Sequence, residues 1–84
     1  MVNKKKLVFD NSNLNAEIAR KGLLKKDIAT KCGISLTSFY EKLNGRREWT
    51  YPEAIAIWKR YFPELEVNYL FKYKTVNVNQ HYKN

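Results

Sequence analysis

Eighty-four residues with sixteen Lys and Arg against eight Asp and Glu, a net charge of +8 and an apolar fraction of 44% bound the chain to one small basic domain with a modest core, because chains of this size bury only about 60% of their unfolded surface. The lone Cys32 excludes an internal disulfide and a multi-cysteine metal site, and no run approaches the roughly 20 apolar residues of a membrane helix. The start "KKKLVFDN" has too few apolar residues for a secretory signal, so a soluble, cytoplasmic chain is expected.

Residues 1–9, "MVNKKKLVF", make a basic N-terminal arm that ends apolar and suits a short strand. The stretch "DNSNLNAEIARKG" offers several N-caps, sets Leu14, Ile18 and Ala19 on one face and stops at Gly22, which predicts a first helix. In "LLKKDIATKCG", Leu24, Ile28, Ala29 and Cys32 recur at helical spacing until Gly33 ends the pattern. Ser35 is placed to cap a third helix, "LTSFYEKLN", whose Phe39 and Leu43 lie four apart and which Asn44 and Gly45 close in left-handed cap geometry. The next stretch, "RREWTYPEAIAIWKRYF", opens as a loop. Thr50, Pro52 and Glu53 then make a helix start, and Ala54, Ile55, Ile57, Trp58, Tyr61 and Phe62 give the helix a broad apolar face before Pro63 stops it. "ELEVNYLFKY" supplies a further turn or two with Val67, Leu70 and Phe71 inward. Residues 72–84 are a polar C-terminal tail in which Val76 and Val78 alternate with Thr75, Asn77 and Asn79, the period of a strand, although disorder suits the same composition.

Charge is uneven along this string. Between residues 20 and 47, Arg20, Lys21, Lys25, Lys26, Lys31, Lys42, Arg46 and Arg47 face only Asp27 and Glu41, whereas between 48 and 71 Lys59 and Arg60 are outnumbered by Glu48, Glu53, Glu64 and Glu66. A basic surface concentrated on one segment is what attraction to a polyanion requires. The same segment holds two short helices around a glycine turn, with Gly33 free to take positive φ and Ile34 plugging the corner against Ala29 and Phe39.

With "KKDIATKCGIS" followed by "LTSFYEKLNG" and "RR", residues 14–71 resemble the lambda-repressor-like (Cro/C1-type, XRE) helix-turn-helix family of small phage regulators, whose run is "xxxIAxxxGIS", then "xxxxxxKLNG" and basic residues. "FDNSNL" and "REWTYPEAIAIWKRYF" look like the regulators of phages and prophages of Gram-positive bacteria in particular. The resemblance implies an all-α fold, a compact four- or five-helix DNA-binding domain over residues 10–71, to which the period of two in the tail would add a short strand. It also implies a sequence-specific transcriptional regulator that occupies a double-stranded DNA operator and is no enzyme. Such a protein needs no cofactor, metal, membrane or small-molecule substrate. A homodimer is the candidate assembly, through Val67, Tyr69, Leu70 and Phe71 of the last helix or through strand pairing by the tail or by "KKLVF".

Carried onto this chain, the resemblance puts Lys25 and Lys26 against a phosphate at the start of the second helix. It puts the third helix in the major groove, which admits a helix and distinguishes all four base pairs. Thr37, Tyr40 and Glu41 then face base edges, Ser35, Ser38 and Asn44 face the DNA backbone, and Arg46 and Arg47 grip phosphate or reach toward the minor groove. The chain departs from the family at Leu24, where a polar cap is common. It departs again at Leu36 and Thr37, where many relatives carry glutamines that read adenine, so no operator sequence carries over.

Each assignment has a structural alternative. Leu36 either completes a core stripe with Phe39 and Leu43 or touches a thymine methyl, and Tyr40 either packs on Leu36 or contacts DNA. Glu41 either accepts from a cytosine amino group or pairs with Lys42 or Arg46, while Arg46 and Arg47 have Glu48 as their evident acidic neighbour. Cys32 reads as a small core hydrophobe, Trp49 and Trp58 as core closures between the loop and the fourth helix, and His81 stands alone in the tail. The rival to DNA is a protein-interaction module of the same fold, such as an antitoxin or a modulator that binds another repressor, resting on Leu36, Tyr40 and Trp49 as an apolar patch.

Overall fold

Side-chain caps open two of the five helices among the described residues, and positive-φ glycines follow the ends of three. The computed structural model describes residues 3–79, which form strand β1 (Asn3–Asp10), helices α1 (Ser12–Arg20), α2 (Lys25–Lys31), α3 (Leu36–Leu43), α4 (Tyr51–Tyr61) and α5 (Val67–Leu70), and strand β2 (Lys72–Asn79). Ser35 caps α3 by accepting from the Ser38 N–H at 3.1 Å. Thr50 and Glu53 form a reciprocal capping box on α4. The α2 and α3 ends both turn on a glycine. Gly33 and Gly45 hold φ at 72° and 81°, and the residue after each returns a backbone bond into the helix, Ile34 to the Ala29 carbonyl at 2.9 Å and Arg46 to the Glu41 carbonyl at 2.8 Å.

The helices enclose one core of Leu14, Ile18, Ile28, Ala29, Ile34, Phe39, Leu43, Trp49, Ala54, Ile57, Phe62, Leu70 and Phe71. Within it Trp49 joins two other aromatic rings, edge-on to Phe39 with ring centroids 5.7 Å apart and to Phe71 at 5.5 Å. Ala19, expected on the apolar face of α1, is exposed. Leu70 and Phe71 are 0% and 7% exposed in their own chain, so they are unavailable to the dimer contact expected of the last helix. Tyr69 instead donates its hydroxyl to the buried Glu17 carboxylate at 2.8 Å.

The domain is mostly helical, but its sheet is larger than a short tail strand. The basic arm and the tail pair with each other as a two-stranded antiparallel ribbon running from Asn3 opposite Asn79 to Asp10 opposite Lys72. Where it meets the helices, Phe9 stacks on its register partner Tyr73 at 4.5 Å and Asp10 pairs with Lys72 at 3.6 Å. Such cross-strand pairs fix the register of a ribbon. "KKLVF" and the tail, each an alternative candidate for a dimer strand, thus spend one edge each on one another.

A buried polar group ties α1, α3 and α4 together. The Asn11 amide donates to the Lys42 carbonyl at 2.9 Å and accepts from the Trp49 indole N–H at 2.8 Å. Lys42, which counts as surface charge in the sequence, is 5% exposed, and its ammonium donates to both oxygens of Glu53, at 2.6 Å to Oε2. Burial pushes the Glu53 carboxyl up, but hydrogen bonds from Lys42 and Thr50 and the Lys42 charge outweigh it and leave the group below its ordinary value of 4.5. A depressed carboxyl contributes stability that is complete above its unfolded value and lost as pH falls through the folded one. Acid unfolding is therefore expected to gain on Glu53→Gln below about pH 4.5, the stability gap between wild type and variant closing as pH falls; a gap independent of pH between neutrality and pH ~3 contradicts it. Asn11→Ala leaves the buried Trp49 N–H unpartnered and takes one donor from the Lys42 carbonyl. Urea unfolding is expected to show a loss of about 1–3 kcal/mol, against under about 0.5 kcal/mol for the exposed Asn68→Ala.

Candidate nucleic-acid interface

Because α3 turns Phe39, Lys42 and Leu43 inward, helical periodicity sends the rest of it outward. Leu36, Tyr40 and Asn44 lie one turn apart along one outer stripe, with Thr37 and Glu41 along the next. Thr37, Asn44, Ser35, Lys26, Arg46 and Arg47 are exposed, while Lys25, Ser38 and Glu41 are half-buried. Two contacts join this face to its neighbours. The Lys25 ammonium lies 5.6 Å over the Tyr40 ring, tying the start of α2 to the middle of α3. Arg47 folds back from the α3–α4 loop, donating to Ser38 Oγ at 2.8 Å and standing 3.5 Å from Glu41 Oε1. The expected site residues thus form one continuous surface, with Lys25 beside the middle of α3 and Arg47 folded onto Ser38 and Glu41.

Several of the alternatives resolve. Leu36 is 40% exposed and outside the core, so it does not complete a stripe with Phe39 and Leu43. Tyr40 is 43% exposed, its ring shared with Lys25 rather than buried. The partner of Glu41 is Arg47, not Lys42 or Arg46, and the acidic neighbour of Arg47 is Glu41, not Glu48. Trp49 is 5% exposed, which removes it from the apolar patch on which a protein-binding role rested. Trp58 is half-buried and donates to the Leu65 carbonyl at 2.6 Å.

The basic segment is also thinner at the surface than in the sequence. Lys42 faces Glu53 in the interior, and Lys21 spends its ammonium on the Tyr61 carbonyl and on Glu64, both at 2.7 Å. Arg20 pairs with Glu17 at 3.0 Å. Among the described residues Lys26 and Arg46 pair with no carboxylate. Sequence reasoning missed two cations, Lys6 and Lys74 of the ribbon, which line a cleft together with Arg46 and Arg47. The advance signals were the basic run of the arm for Lys6 and the period of two in the tail for Lys74, and neither says where the strands meet.

Cys32 is half-buried, and burial pushes its thiol up against the opposing pull of Arg60, which disfavours a reactive thiolate. Among the described residues no group of three or more His, Cys, Asp and Glu is placed to hold a metal, and no helix is long and apolar enough to cross a membrane. His81 lies outside the described residues. Compared with family models, curated proteins and solved structures, the chain matches none of them.

The Ser35 hydroxyl uses a lone pair on the Ser38 N–H and keeps its own proton to donate outward. Ser35→Ala is expected to cost about 1 kcal/mol through loss of the cap, and Ser35→Asp to recover most of it, as read by urea unfolding; no loss in the alanine variant contradicts the capping role.

Proposed function

We propose that the protein binds double-stranded DNA in a sequence-specific manner as a transcriptional regulator of the helix-turn-helix type, occupying an operator through the outer face of α3. The observation that carries this reading is the join between a rigidly seated α3 and the cations beside it, Lys25 with its neighbour Lys26 at Tyr40 and Arg47 with its neighbour Arg46 at Ser38 and Glu41. A helix held by its inner face at Phe39, Lys42 and Leu43 presents Thr37 and Tyr40 in a fixed orientation, which reading of base edges requires. The flanking cations meet the phosphates that border the groove, and these contacts set register without carrying sequence information. Glu41 would repel phosphate on its own. Its pairing with Arg47 offsets that charge and leaves a carboxylate oxygen for a cytosine amino group. Ser35 and Ser38 donate hydroxyl protons to the backbone, and Asn44 lies where the helix leaves the groove.

A protein partner docking on Leu24, Leu36 and Tyr40, all exposed, would bind through apolar area and respond weakly to salt. Duplex binding through about four to six phosphate contacts is expected to weaken roughly 10²- to 10³-fold between about 50 and 200 mM salt; indifference to salt, or no affinity for duplex, contradicts the DNA reading. Within it, Arg46→Ala is expected to weaken all duplexes alike and reduce the salt slope by about 1. Thr37→Ala leaves the slope and narrows the gap between preferred and random duplexes. Equal loss of discrimination from both variants contradicts this division of roles.

A further inference from the structure

The ribbon and the α3–α4 loop stand apart far enough to leave a cleft of about 600 Å³. Lys6 and Lys74 line one side and Arg46 and Arg47 the other, with Asp10 and Glu48 as the carboxylates present. Register explains why the two lysines act together. Val8 stands opposite Lys74 and Val76 opposite Lys6, so the period of two puts both lysines on one face as diagonal neighbours, roughly 7–8 Å apart. Both are exposed, and neither pairs with a carboxylate among the described residues. Of the two carboxylates, Asp10 accepts from the Ser12 N–H at 3.0 Å and pairs with Lys72 at 3.6 Å, which offsets its charge. Glu48 is exposed and pairs with no cation among the described residues, so four cations stand against one unpaired carboxylate.

We infer that this cleft holds the phosphodiester backbone of the duplex that α3 contacts, extending the interface beyond the reach of that helix. Small-molecule pockets are mostly apolar with a few polar groups, whereas cations occupy both sides of this one, and its volume exceeds what a single phosphate fills. Diagonal lysines suit successive phosphates on one strand. Continuity with the α3 face comes from Arg47, which lines the cleft and also donates to Ser38 on α3 at 2.8 Å. A strand leaving the groove beside Ser38 therefore passes Arg47 and Arg46 before it meets the ribbon. The inference rests on the DNA reading above and adds the ribbon to it.

The test measures the salt dependence of binding to a random-sequence duplex by fluorescence anisotropy, with the full chain and circular dichroism as the folding control. Lys6→Gln with Lys74→Gln is expected to lower the slope by about 2, one contact per lysine, and Lys6→Arg with Lys74→Arg to restore it. Lys59→Gln with Arg60→Gln removes the same charge from the far end of α4 and is expected to leave the slope near wild type. In the wild-type protein, bound duplex is expected to slow acetylation of Lys6 and Lys74, read by mass spectrometry, which needs no variant to fold. Duplex binding with an unchanged slope in the ribbon variant, an equal drop in the α4 variant, or no protection of either lysine overturns the cleft inference and leaves the DNA reading standing. A wild-type chain with no affinity for duplex overturns both.

Discussion

The hydrogen bonds of Asn11 are the constraint on which the rest of the structure depends. One side chain, 8% exposed, joins the entry to α1 with the Lys42 carbonyl near the end of α3 and with the indole of Trp49 ahead of α4. Lys42 then runs from that same turn of α3 to Glu53, which is occupied in capping α4. Losing one partner of a buried ion pair costs far more than the pair contributes over apolar packing. The arrangement therefore penalises any seating of α3 that separates Lys42 from Glu53 or Asn11. A helix that reads base edges has to be held in one orientation, and here the holding groups all lie on its inner side.

Charge follows from the same seating. Along the chain, the basic stretch between Arg20 and Arg47 looks like a uniform cationic surface. In the fold Lys21 and Lys42 are consumed by Glu64 and Glu53, so only part of the stretch is free to meet an anion, including Lys25 and Lys26 on α2 and Arg46 after α3. The ribbon restores what the helices withdraw, because its exposed lysines stand across a cleft from Arg46 and Arg47. Net charge alone draws a polyanion near; the distribution decides which face it meets.

The helices were legible because their signals are local. Ser35, Thr50 with Glu53, Gly33 and Gly45 each act within one turn of their own position, and the observed boundaries fall beside them. The exposed candidates on α3 were legible for a related reason, since Phe39 and Leu43 fix the inner face and leave Thr37 and Tyr40 outside. What escaped depends on contacts between distant residues. Lys42 shares the inner face of Phe39, but only Glu53, eleven residues on, makes its burial tolerable. Leu36 sits at stripe spacing and yet misses the core, because spacing within one helix cannot show which of its positions the other elements cover. The ribbon pairs the first described residues with the last, and alternation within one strand carries no information about its partner. Leu70 and Phe71 looked available for a second subunit for the same reason, although Phe71 packs against Trp49.

Selection of bound sequences from a random duplex library with the purified protein at near-physiological salt tests the central claim most directly. Readout of base edges by α3 requires the recovered pool to converge on a common motif, and two inverted half-sites about one helical turn apart would add a dimer to it. A bound pool that stays random after repeated rounds would contradict sequence-specific recognition, leaving at most a charge-driven affinity for phosphate.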